Sequence, residues 1–134
     1  MTVEGLTTIR SRFGPQETSE RLRREITAEG MTLFASIDHA GAAAEVGLTL
    51  RPTELLIFGN AKGGTPLMQQ NQIIGIDLPL KALIWEDEAG LAWISVLDPV
   101  WLVKRHGTEP ATQPIASRLT ALLHATIRKA AEAD

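Results

Sequence analysis

The stretch Lys81–Leu97, KALIWEDEAGLAWISVL, decides the fold. Apolar residues run on both sides of Asp87-Glu88-Ala89-Gly90, whose aspartate and glycine suit a tight turn. The reading is a strand over Lys81–Glu86, a hairpin loop over Asp87–Gly90 and a returning strand over Leu91–Leu97. A hairpin makes its two strands antiparallel. Asp98-Pro99 ends this part of the sheet.

Downstream, Ile115, Leu119, Leu122, Leu123, Thr126, Ile127 and Ala130 keep the spacing of an amphipathic helix after Thr112 and Pro114. Upstream, ELLIF at Glu54–Phe58 and MTLFASI at Met31–Ile37 read as strands, and Thr2–Phe13 as an opening strand. Pro15 introduces a helix over Gln16–Glu29 with Leu22 and Ile26 on one face, stopped by Gly30. Asp38 is placed to cap a short alanine-rich helix. The order β-α-β-(α)-β-(α)-β-β-α indicates an α+β two-layer sandwich, a mostly antiparallel sheet with helices on one face. Residues 1–134 make one domain, long enough to bury a core without staples.

The chain carries a formal net charge of −3 and no cysteine. A weakly acidic surface argues against nucleic-acid binding, which needs a basic footprint. Without thiols there are no disulfides, iron–sulfur clusters or cysteine nucleophile. Glu4, Arg10 and Arg12 interrupt any leader-like apolar run. No stretch approaches the roughly 18 apolar residues of a membrane span. A soluble, cytoplasmic protein with no membrane partner is expected.

The segment Phe58–Met68, FGNAKGGTPLM, raises the question of a phosphate loop. Gly59 and Gly64 have the Walker separation, but Thr65 stands where that motif needs lysine and Pro66 where it needs a hydroxyl. The dinucleotide fingerprint is absent too. What survives is a turn in which Thr65 caps a short helix beginning at Pro66. Its N–H groups, with Lys62, could then hold a carboxylate, phosphate or sulfate. The plainer reading is a tight turn that needs glycine for its backbone angles.

His39, His106 and His124 lack metal-ligand spacing, so no metal site is assigned. No nucleophile elbow surrounds any serine. Asp77, Glu86 and Asp87 flank strands, where solvated carboxylates are the common case. Trp85 and Trp93 fall in the paired strands and are read as core or interface residues.

PTELLIFGNAKGGTPLM, IDLPLKALIWEDEAG, DPVWLVKRHG and IDHAGAAAEVGLTLRPTELLIFGN together make the chain resemble the bacterial and archaeal domain-of-unknown-function family 302. The resemblance runs from about Gly5 through the C-terminal helix. It implies a TATA-binding-protein-like α+β shape and a homodimer, though such a shape does not bring DNA binding with it. It also implies motif positions at Asp38, His39, Pro52, Phe58, Gly59, Asn60, Lys62, Gly64, Thr65, Pro66, Met68, Asp77, Leu78, Pro79, Trp85, Asp87, Arg105 and His106. Ala61 departs from the usual proline, and Val96 and Leu97 from a tyrosine and a polar residue.

The function expected is binding of a small anionic or polar ligand by a homodimer, with no cofactor named. The candidate ligand-binding residues are Asp38, His39, Asn60, Lys62, Gly64, Thr65, Arg105 and His106, drawn from three polar segments that would share one pocket. In it, Lys62, Arg105 and the backbone at Gly64 and Thr65 hold the anion while His39 and His106 orient it. Two alternatives stay open. One is an enzyme using His39 or His106 as general base, with or without a metal; the other is an interaction module with no ligand.

Overall fold

The computed structural model describes residues 3–108 and 110–132. Its strands are β1 (Leu6–Arg10), β2 (Thr32–Asp38), β3 (Thr53–Gly59), β4 (Leu80–Glu86) and β5 (Ala92–Leu97). They form a five-stranded sheet in the order β1-β5-β4-β3-β2, every pair antiparallel. The helices are α1 (Pro15–Ala28), α2 (His39–Glu45), α3 (Ala61–Gln70), α4 (Pro99–Arg105) and α5 (Gln113–Ala131), with a 3-10 helix at Gln72–Asp77.

The hairpin is as expected. Trp85 pairs with Trp93 and Ile84 with Ile94. Asp87 closes the turn by accepting from the N–H groups of Ala89 and Leu91, each at 2.9 Å, and from Trp93 Nε1 at 2.8 Å. These hydrogen bonds, led by the Leu91 N–H, hold the Asp87 carboxyl below its ordinary pKa.

Alternation along β4 and β5 sends Ala82, Ile84, Ile94 and Val96 to one face, where they are buried with Leu56 and Phe58 of β3. Leu22 and Ile26 of α1 and Leu123, Ile127, Ala130 and Ala131 of α5 cover that face. Each such leucine or isoleucine contributes about 1.5–3 kcal/mol through burial. Arg21 locks the two helices together by donating to the carbonyls of Ala130 and Glu132 at the end of α5, both at 2.9 Å. The other sheet face carries Leu55, Ile57, Leu83, Trp85, Trp93 and Leu97, half-buried. There the two tryptophan rings stack with centroids 6.1 Å apart.

Three expectations need correction. The opening strand is confined to Leu6–Arg10, paired with β5; Thr2 lies outside the described residues. The segment after Asp98-Pro99 is a helix, α4, with Pro99 at its first position and Pro99, Leu102 and Val103 buried. Finally, α3 begins at Ala61, and Pro66 lies inside it. A proline there leaves the Lys62 carbonyl without its helical donor, a loss tolerable on the exposed first turn.

Candidate functional site

The run read as a glycine loop is the opening of a helix. Asn60, not Thr65, is the cap: its Oδ1 accepts from Gly63 N at 2.8 Å. At Gly63 a Cβ would stand 2.9 Å from Leu119 Cδ2 on α5, so that side chain would have to shift to admit one. Gly64 is different. A Cβ at Gly64 would lie at 3.8 Å from both Leu78 Cδ1 and Met68 Cε, ordinary van der Waals contact, and no positive φ demands glycine.

The space beside Gly64 belongs to a cavity of about 320 Å³. The end of β3 and the start of α3 form one wall with Gly59, Asn60, Ala61, Gly63, Gly64, Thr65 and Met68. Gly75, Leu78, Pro79 and Leu80 form the second, Met31 and Phe34 the third, and Leu119 and Leu122 of α5 the floor. The lining is apolar except for the side chains of Asn60 and Thr65 and nearby backbone, and no charged residue contributes to it. Cavities of this size and character are the common form of small-molecule sites.

The candidate residues fall into three places. Asn60, Gly64 and Thr65 line the cavity, whereas Lys62 is exposed on α3 and does not. Asp38 and His39 sit elsewhere: Asp38 caps α2 by accepting from Gly41 N at 2.9 Å, and His39 is exposed at the first position of that helix. Asp38 pairs with Glu54, six residues before Asn60. At roughly 3.3 Å per strand residue this puts the two ends roughly 20 Å apart. A single pocket shared by all three segments is therefore not formed, because antiparallel pairing carries the Asp38-His39 corner to the opposite end of β3.

Arg105 and His106 converge on Asp77 instead. Asp77 Oδ2 accepts from Arg105 Nη1 and sits 2.6 Å from His106 Nε2. Burial works to raise the Asp77 pKa, but the hydrogen bonds from His106 and Arg105, together with their charges, hold it below the ordinary value. Lys81 Nζ donates to the Pro79 carbonyl at 3.1 Å, and burial lowers its pKa against the pull of Asp77. Asn71 Nδ2 reaches the His106 carbonyl at 3.4 Å. The cluster ties the 3-10 helix and the start of β4, which supply a cavity wall, to α4. It supports the cavity without lining it, and Asp77 is not the solvated strand-end carboxylate expected.

His124 belongs to a third tie. Its Nε2 lies 2.7 Å from Asp98 Oδ1, while Asp98 Oδ2 accepts from Thr7 at 2.7 Å. Among the described residues no group of three or more His, Asp and Glu side chains could hold a metal ion. The residues that sequence reasoning missed are apolar: Met31, Phe34, Leu119 and Leu122. The helical spacing of Leu119 and Leu122 marked them only as core.

The family model described as "Domain of unknown function DUF302" matches residues 7–126. The chain belongs to this family. The crystal structure of an uncharacterized conserved DUF302 protein from Bacillus stearothermophilus is similar, with a TM-score of 0.87 at 24% identity. That match covers 96% of this chain and 99% of the other, and at this identity it speaks to the fold alone. Two curated relatives, both named fluoride-specific ion channel FluC 1, come from Brucella suis biovar 1 (strain 1330) and Brucella abortus biovar 1 (strain 9-941). Each is 50% identical to this DUF302 domain over 102 residues, 76% of the chain. The match spans only 40% and 38% of their respective lengths. Among the described residues no helix is long and apolar enough to cross a membrane.

Proposed function

We propose that this DUF302 domain binds a small, largely apolar molecule in the cavity between α3, the Leu78-Pro79 segment and α5. One observation carries the reading: the cavity borders a helix-interior glycine, Gly64, that neither backbone angle nor neighbouring atoms require. Alanine there would be the better helix former. Departures from local optimum that folding does not need are expected at functional sites. Of the candidate residues, Asn60, Gly64 and Thr65 are those that meet the ligand. Arg105 and His106 hold the wall through Asp77. Asp38, His39 and Lys62 serve the scaffold and the surface.

A second observation favours a homodimer. The open sheet face presents Leu55, Ile57, Leu83, Leu97 and the stacked tryptophans, an apolar surface suited to a second copy. The channel activity in the names of the Brucella relatives belongs, in this reading, to the parts of those longer proteins that this chain does not match. An NMR titration with naphthalene tests the site. Shifts confined to Gly63, Gly64, Met68 and Leu119 are expected; shifts at Leu83, Trp85 and Trp93 alone, or none, would overturn it.

A further inference from the structure

We infer that the cavity selects a neutral amphiphile, an apolar body ending in one uncharged oxygen acceptor that Thr65 and Asn60 hold at the mouth. This rests on the binding reading above and narrows it to a chemical class. The charge distribution is the first reason. No charged side chain lines the cavity, Lys62 is exposed outside it, and the Arg105 guanidinium is committed to Asp77. A carboxylate or phosphate entering these walls would surrender its hydration with no counter-charge to replace it. The anion expected from the sequence is thus disfavoured by the lining itself.

Hydrogen-bonding capacity is the second reason. Asn60 uses its side-chain oxygen on Gly63 N, so its amide NH2 is what remains to offer. The Thr65 hydroxyl is not needed to cap α3, because Asn60 does that. The amide can only donate and the hydroxyl can donate as well as accept; both sit on exposed residues, whereas the lining residues Leu80 and Met31 are buried. A ligand oriented by this gradient points its acceptor outward and its hydrocarbon inward. Met31, Met68 and Phe34 give walls that adapt to a chain or a ring.

The test uses the whole chain, with bound naphthalene, a hydrocarbon with no acceptor, as the reporter. Competitors are 2-decanone and decanoate at about pH 8, where the acid is ionised. The ketone should displace naphthalene at concentrations about tenfold lower than decanoate does, and Thr65→Val should weaken the ketone about fivefold more than it weakens naphthalene. Decanoate matching the ketone, neither competing, or Thr65→Val leaving the ketone unaffected would overturn the neutral-acceptor class while naphthalene binding upholds the cavity. Failure of naphthalene itself to bind would overturn both. Naphthalene or ketone affinity that falls as protein concentration rises would put a second copy in the cavity and overturn the inference as well.

Discussion

The molecule has two apolar centres of different quality. The larger lies between the sheet and helices α1 and α5, where Phe58, Leu22, Ile26, Leu56, Ile94 and Leu123 are fully buried. The smaller is built from Leu67, Ile74, Val103 and Ala116, with Met68, Leu78 and Leu119 partly buried around it. Both border the cavity, but unequally: the second gives it Met68, Leu78 and Leu119 from its partly buried rim, and the first meets it only at its end, through Met31, Leu80 and Leu122. The room for chemistry lies at the seam, where the dense centre ends and the looser one begins. Good packing leaves no space for a ligand. A binding site in so short a chain therefore has to sit where packing is relaxed.

The largest effect expected tests that division directly. Phe58→Ala in the dense centre should cost about 3–5 kcal/mol, and Leu67→Ala in the looser one about 2–3, because neighbours already bordering free space can settle into the gap. Urea denaturation of both variants measures this; equal losses would erase the distinction.

The same division explains how much was legible in the sequence. The dense centre rests on alternation and helical periodicity, so the hairpin, α1, α5 and the α+β class could be read from local pattern. The pairing of β1 with β5 has no local signature. At the looser end the local signals misled. Gly63-Gly64-Thr65-Pro66 looks like a turn, yet it lies in a helix that Asn60 caps. Asn60 and Thr65, expected from this segment to meet an anion, line a cavity to which no charged residue contributes. Asp38 and His39 were separated from them by strand pairing, which sequence spacing does not encode.

A middle-sized effect concerns the tie that holds the loose region to α4. Asp77→Asn keeps the shape but removes the charge that Arg105 and His106 bond, at a cost of about 1.5–2 kcal/mol near neutral pH. The sign of its pH dependence follows from the depressed carboxyl. With a folded pKa below the ordinary 3.8, the contribution is whole above that value and is lost as pH falls through the folded pKa. The stability gap between wild type and Asp77→Asn should therefore close in acid and persist from about pH 5 upward. A gap independent of pH would mean that the carboxylate charge contributes nothing to the tie. The dense centre, which has no charged member, should show no such profile under Leu56→Ala.

The smallest effect is the most discriminating, because its two parts have opposite signs. Gly64→Ala should raise stability by about 0.8–1 kcal/mol, the ordinary gain for replacing glycine inside a helix. Nothing opposes that gain: the new methyl meets Leu78 Cδ1 and Met68 Cε at 3.8 Å rather than overlapping them. That methyl enters the space the ligand is proposed to fill, so naphthalene affinity should fall several-fold while the melting temperature climbs. Stabilising changes that cost function mark sites held away from their folding optimum. If Gly64→Ala instead destabilised the protein, the glycine would be a packing requirement. The looser centre would then be only a less regular piece of the same core.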